Sequence, residues 1–257
     1  MSRLFAPAVV AIGIAFATAA VWLDLDDAGG SYWDDPTNAA FLLALSGVSA
    51  ASVGVDLVRR WAWLPLVPLV VGFLLIGFHL FLVGFFGPED FDLVERAVWW
   101  GLGGAAIMAL GAFLLAAERW GARLRGTAGD GGRARRLVTA LGIGLVFPGI
   151  WLDAVELRSA DPVLVVTYWD FLGHSLGILF LALACVLAVS SAMSWGLRWP
   201  ESDLVAATLS LVVLGLALYL PVTYAFGSFG VLGAGAWLAL AGATLASVGS
   251  VATLARR

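Results

Sequence analysis

The chain has 257 residues, is 61% hydrophobic, carries 12% charged residues and has a net charge of −4; its mean hydropathy is +0.98. A water-soluble domain carries about 25% charged residues, so this surface suits lipid rather than water. One cysteine, Cys185, excludes an internal disulfide or a CxxC metal site, and the complete absence of lysine excludes a retinal Schiff base, a pyridoxal phosphate lysine and a P-loop lysine. An acidic, lysine-free composition fits either an extreme halophile or a GC-rich genome.

A spanning helix needs about 20 mostly apolar residues. Eight stretches qualify: 4–23, 39–58, 63–86, 94–117, 137–154, 171–194, 204–226 and 231–254. The first has the look of a signal peptide, with Arg3, an apolar run and the small residues Ala17, Ala19 and Ala20. An internal repeat argues for a retained helix instead. Residues 11–24 (AIGIAFATAAVWLD) align with residues 140–153 (ALGIGLVFPGIWLD), where six of fourteen positions are identical, and the second copy lies in mid-chain. A link around Gly227–Gly230 is short enough to make the last two spans a tight hairpin.

The repeat runs further. Tyr-Trp-Asp follows each copy, at 32–34 and 168–170. Arg-Trp closes the second and sixth spans, at Arg60-Trp61 and Arg198-Trp199, and Phe86-Gly87 matches Phe226-Gly227. Residues 1–125 and 130–257 therefore read as two copies of a four-helix unit. The linker 121–136 (GARLRGTAGDGGRARR) should be flexible and cytoplasmic. Four spans per copy is an even number, so the copies keep one orientation and relate by an axis along the membrane normal. The fold class is all-α and polytopic: eight transmembrane helices as two tandem parallel four-helix repeats.

Arginine placement sets the orientation. With the N-terminus inside, twelve arginines fall on the cytoplasmic side and only Arg96 and Arg158 outside, while most acids, including Asp24, Asp34, Asp153 and Asp170, fall outside. Both termini are then cytoplasmic in a prokaryotic plasma membrane. Trp22, Trp33, Trp151 and Trp169 mark the outer boundary; Trp61, Trp63, Trp120, Trp195 and Trp199 mark the inner one. Such aromatic belts anchor a protein and need no chemistry to explain them. The many glycines and alanines within the spans serve close helix packing in lipid.

An ionisable residue within a span is a functional candidate by default. His79 lies sixteen residues past Trp63, about 24 Å from the inner interface at 1.5 Å per residue. His174, four residues into the sixth predicted span, shares a helix face with Asp170. Asp24 and Asp153 end the first and fifth predicted spans. Across the repeat, Asp24 matches Asp153, His79 matches Tyr219 and His174 matches Asn38. Pro148 and Pro221 lie in the outer halves of their spans, without proline counterparts, and bend them. Each signal also has a plain structural reading. Asp170 with His174 suits an interface ion pair, His79 a helix-to-helix hydrogen bond, Asp56 a pair with Arg59 or Arg60, and the acidic loops a solvated surface. Asp24–Asp27 and Tyr32–Asp35 could offer oxygen ligands to a divalent cation, without EF-hand spacing.

No HExxH, Walker A or Rossmann GxGxxG pattern occurs, and the outer loops are short, so any activity must sit inside the bundle. Two tandem four-helix units with the N-terminus inside resemble the architecture of heme A synthase. That resemblance implies histidine pairs on even-numbered spans; here the second, fourth and eighth spans hold none and the sixth holds only His174. The first expectation is a solute-, ion- or lipid-binding membrane protein with an outward-facing pocket of Asp24, Asp153, Asp170, His174, His79, Tyr219 and Asn38. The second is a redox protein in which His79 and His174 hold a heme or contact a quinone. The third is an accessory subunit without a ligand. Expected partners are the lipid bilayer and other membrane proteins or further copies of the chain, not nucleic acid.

Overall fold

The computed structural model describes residues 4–23, 31–34, 36–59, 61, 64–86, 96–120, 132–157, 164–170, 175–196, 200–224 and 230–254. Among them are eight α-helices: α1 (Phe5–Ala20), α2 (Pro36–Arg59), α3 (Leu66–Phe86), α4 (Arg96–Trp120), α5 (Gly132–Trp151), α6 (Ser175–Gly196), α7 (Pro200–Tyr224) and α8 (Ala234–Leu254). The seven from α2 to α8 are long and apolar enough to cross a bilayer, so the chain is a helical, multi-pass membrane protein. α1 has 16 residues. The N–H groups of Val21, Trp22 and Leu23 bond three residues back to Thr18, Ala19 and Ala20, a tightened 3-10 turn that lengthens the apolar rod toward Leu23.

The outward faces of these helices are apolar. Ile12, Val48, Leu110, Leu141, Ile178 and Val248 are all exposed, as expected where the surrounding solvent is lipid. Alanines and glycines stand beside larger side chains among the buried residues. In lipid no hydrophobic force draws helices together, so close approach of backbones must do it.

The chain divides into two compact units, Met1–Arg125 and Gly126–Arg257. In the first, α1 lies antiparallel along α4, and α4 packs in turn on α3. Glycines set the α1–α4 spacing: a Cβ on Gly13 would meet the Met108 Cα at 2.6 Å, and one on Gly111 would meet the Val10 N at 2.6 Å. α2 packs on α1 and α3 through a seam of Asn38, Leu42, Ser46, Ser49, Ser52 and Asp56.

In the second unit α5 lies antiparallel along α8, and α7 packs between α8 and α6. Glycines again set the spacing: a Cβ on Gly149 would meet the Ala239 N at 2.8 Å, and one on Gly242 the Val146 N at 2.7 Å. Ser247 Oγ donates to the Ser210 carbonyl at 2.9 Å, tying α8 to α7.

The second unit also holds three strands that an all-helical reading omits: β1 (Asp153–Leu157), β2 (Leu164–Thr167) and β3 (Gly230–Leu232). They form one antiparallel sheet in the order β2-β1-β3. The fifth predicted span therefore stops at Trp151, with Asp153 and Ala154 in β1, and Val231 belongs to β3 rather than to the last helix. Of the link expected around Gly227–Gly230, residues 227–229 lie outside the described residues, and Gly230 opens the strand β3, paired with β1. A hydropathy window sees only apolarity, which a short strand such as Leu-Val-Val-Thr shares with a helix end; its β-branched residues are the mark of a strand.

Candidate functional site

The duplicated aromatic motif has a structural role in each unit. In the first, the 3-10 turn Tyr32–Asp34 precedes α2. Its Tyr32 is buried edge-on to His79, with ring centroids 6.2 Å apart, and Trp33 lies 5.9 Å from Trp22. In the second, Tyr168 is buried against Phe180 at 5.1 Å, and Trp169 stacks on Trp151 at 5.7 Å. The Trp169 N–H donates to the Ile150 carbonyl at 3.1 Å, which pins the turn to the end of α5. The Tyr168 hydroxyl is buried without a hydrogen-bond partner among the described residues, and burial pushes the phenol above its ordinary range.

His79 is buried on α3. Its Nδ1–H donates to the Leu75 carbonyl at 2.7 Å, one turn back on its own helix, so the expected helix-to-helix hydrogen bond does not form through this nitrogen. Nε2 is buried with no hydrogen-bond partner among the described residues. It faces Gly101 of α4, where a Cβ would collide with it. An axial iron bond needs a free nitrogen lone pair. One ring nitrogen is committed to a carbonyl and the other is packed on the α4 backbone, so this arrangement does not fit a heme ligand.

Asp170 is exposed and lies in a turn. Thr167 Oγ1 donates to its Oδ2 at 2.8 Å, and the Asp170 N–H donates to Thr167 Oγ1 at 3.0 Å. The reciprocal bonds close a turn before α6, which begins only at Ser175. Asp153 is exposed at the start of β1, in register with Thr167. The second unit thus gathers Asp153 and Asp170 at one end of the β1–β2 ladder. Tyr219 is half-buried on α7, and Asn38 is buried on α2 of the first unit. Pro148 lies exposed inside α5 and Pro221 buried inside α7. Asp24 and His174 lie outside the described residues, as does most of the acidic run proposed for a cation. Among the described residues no three His, Cys, Asp or Glu side chains gather as a metal would require.

A different feature is built like a binding site. A cavity of about 230 Å³ lies inside the second unit, and all four of its helices contribute. α5 supplies Arg136, Thr139 and Ile143, at the i, i+3, i+7 spacing of one helix face. α6 supplies Ser191, α7 supplies Asp203 and Ala206, and α8 supplies Ser250. Asp203 is only 4% exposed. The Arg136 Nε and the Ser191 Oγ are buried with no hydrogen-bond partner among the described residues. Thr139 Oγ1 donates to the Arg135 carbonyl at 3.1 Å and lies 3.5 Å from Ser250 Oγ. Mostly apolar walls with a few convergent polar groups are the usual makeup of a small-molecule site.

Sequence reasoning missed this cavity because it placed Asp203 before the seventh span. Pro200 opens α7, as proline commonly does at the first helical position, so Asp203 is already inside the helix on the face of Ala206 and Ser210. That Pro-Glu-Ser-Asp start was the available signal.

No protein-family model matches the chain, and no curated protein or solved structure matches it.

Proposed function

We propose that the chain is a prokaryotic plasma-membrane protein that binds a small solute within its second four-helix unit, and that it arose by duplication of that unit. The cavity carries the functional reading: four helices converge on a space bordered by a buried carboxylate, a guanidinium and a hydroxyl with no hydrogen-bond partner among the described residues. The duplication is supported by the matched Trp22–Trp33 and Trp151–Trp169 pairs and by glycines at the aligned positions Gly13 and Gly142, each at a helix crossing. On this reading α1 with its 3-10 turn is the eighth span. Sixteen helical residues at 1.5 Å and three more at 2.0 Å reach about 30 Å, the thickness of the hydrocarbon core.

With the arginine-rich end inside, the cavity faces the cytoplasmic half, since Arg136 and Asp203 lie in the first turns of α5 and α7. The outward-facing pocket expected from sequence then gives way to an inward-facing one. Asp153 and Asp170 are solvated at the opposite end of the second unit, and His79 is packed against Gly101.

The test is thermal unfolding of the purified protein against a panel of inorganic ions, amines, carboxylates and amino acids. A bound solute at a hundred times its Kd adds about 2.7 kcal/mol of stability. At least one class should raise the Tm of the wild type, and cavity-filling Ala206→Leu should abolish the shift. A panel that stabilises neither protein, or both equally, overturns the reading.

A further inference from the structure

We infer that the first unit admits a file of water molecules along α2, from the end of the helix that carries Arg59 as far as Ser46. This water lies in the first unit and is independent of a solute in the second.

One face of α2 is buried, and toward Arg59 that face holds Ser46, Ser49, Ser52 and Asp56. The positions turned away from it are apolar or glycine: Gly47, Val48, Gly54 and Val55 are exposed. The helix is therefore polar inside and apolar outside. Ser52 Oγ donates to the Ser49 carbonyl at 2.8 Å. The Ser46 and Ser49 hydroxyls are buried with no hydrogen-bond partner among the described residues. Such a hydroxyl costs stability, and water is the smallest molecule that meets both its donor and its acceptor. Asp56, near the mouth, has a partner of its own, so the water's contacts are with the two hydroxyls.

Packing does not require these hydroxyls. Counted from the matched pairs Arg60-Trp61 and Arg198-Trp199, α6 buries Phe180, Ala184, Leu187 and Ser190 where α2 buries Leu42, Ser46, Ser49 and Ser52. The same four positions turn inward in both helices. Ser46 and Ser49 stand where α6 has alanine and leucine, so the two hydroxyls answer another need.

α2 also has room to give. It touches α1 and α3 more sparsely than these touch α4. Glycines draw α1 and α4 together, whereas Gly47 and Gly54 of α2 have nothing within 4 Å of their Cβ positions. Ser46 and Ser49 are 3% and 0% exposed, so water reaches them by a slight parting of α2 from α1 and α3. Ser46 lies thirteen residues before Arg59, about 20 Å at 1.5 Å per residue, which passes the middle of a hydrocarbon core about 30 Å thick. Leu42 closes the seam one turn further on, which makes it a blind inlet and not a pore.

The experiment uses the full chain with its exposed Cys185 replaced by alanine, in lipid nanodiscs, which leave both faces open to water. Single cysteines are introduced by Ser46→Cys, Ser49→Cys and, at the aqueous end, Arg59→Cys. Val48→Cys on the lipid face and Ala184→Cys and Leu187→Cys at the matched positions of α6 serve as controls. Each variant is treated with silver ion, and thiol left unblocked is read with a maleimide after unfolding. Silver attacks the thiolate, which forms where water solvates it and not in hydrocarbon. Ser46→Cys and Ser49→Cys should react within about tenfold of Arg59→Cys and at least about a hundredfold faster than the three controls. Adding Ser49→Leu, which copies α6, should slow Ser46→Cys by about tenfold or more, because the leucine plugs the file between Ser46 and its mouth. Rates at both serine positions no faster than at Val48→Cys and Ala184→Cys overturn the inference. Should a cysteine variant fail to fold, the unaltered chain decides. Magnetisation transfer from water, read by solid-state NMR, should reach Ser46 and Ser49 faster than Ser210, whose buried hydroxyl donates to the Ala207 carbonyl at 2.8 Å. Equal transfer to all three serines overturns the inference as well.

Discussion

Trp151 stacks on Trp169 with ring centroids 5.7 Å apart and planes inclined by 27°. These two residues belong to the two motifs, Trp-Leu-Asp and Tyr-Trp-Asp, that the chain repeats. The aligned pair Trp22 and Trp33 meets at 5.9 Å. Such ring pairs contribute about 0.5–1.5 kcal/mol beyond their buried area. A double-mutant cycle of Trp151→Ala and Trp169→Ala should therefore show coupling of about that size in unfolding experiments. Strict additivity of the two losses would mean that the rings merely sit side by side at the membrane interface.

The helix crossings lead to a second expectation. Gly13 and Gly142 each face the backbone of the neighbouring helix, and a Cβ on either would strike it. Gly144, two residues from Gly142, has nothing within 4 Å of its Cβ position. Gly13→Ala and Gly142→Ala should each cost about 1–3 kcal/mol through overpacking. Gly144→Ala should be neutral, or stabilising by about 0.4–1 kcal/mol through a less flexible unfolded chain. Thermal unfolding of the three variants in one detergent decides; equal effects at positions 142 and 144 would remove the close-packing argument.

His79 and Gly101 form a lock of the same kind between α3 and α4. Gly101→Ala should destabilise the protein because the added methyl collides with Nε2. His79→Ala leaves a cavity, yet it also removes that collision and a buried nitrogen that has no hydrogen-bond partner among the described residues. The double variant should then be more stable than the sum of the single losses, by about 1 kcal/mol or more. If the losses simply add, the ring does not lie against Gly101.

Tyr168 makes stability depend on alkaline pH. Its buried phenol ionises above the ordinary value of about 10, so the folded chain keeps a proton that the unfolded chain releases. The stability from this group is complete below about pH 10 and is lost as pH rises from there toward the folded value. Tyr168→Phe keeps the ring against Phe180 and removes the hydroxyl, which has no hydrogen-bond partner among the described residues. The variant should be at least as stable as the wild type at pH 8, with a gain of up to about 1–3 kcal/mol. It should also lose less stability than the wild type between pH 9 and 11. A steeper alkaline loss in the variant would contradict this.

The membrane class was legible from the sequence, because a long apolar run leaves a chain few options in lipid: every backbone N–H and C=O must bond within its own segment. Apolar run length also located α2 to α8 to within about five residues. The same rule hid the sheet. The strand residues of β1, β2 and β3 look to a hydropathy count like frayed helix ends, and only pairing across the chain distinguishes them. Polar residues were harder still. Their value depends on which face of a helix they occupy and on what stands opposite, and neither is written in a single segment. His79 looked like a ligand and is packed on Gly101. Asp203 falls just outside the seventh predicted span, yet it borders a cavity with Arg136, 67 residues earlier in the chain. By itself, the sequence determined a lipid-facing, helical chain with an internal echo. Only the tertiary structure decided which charges are buried and which meet, because burial depends on neighbours brought from distant parts of the chain.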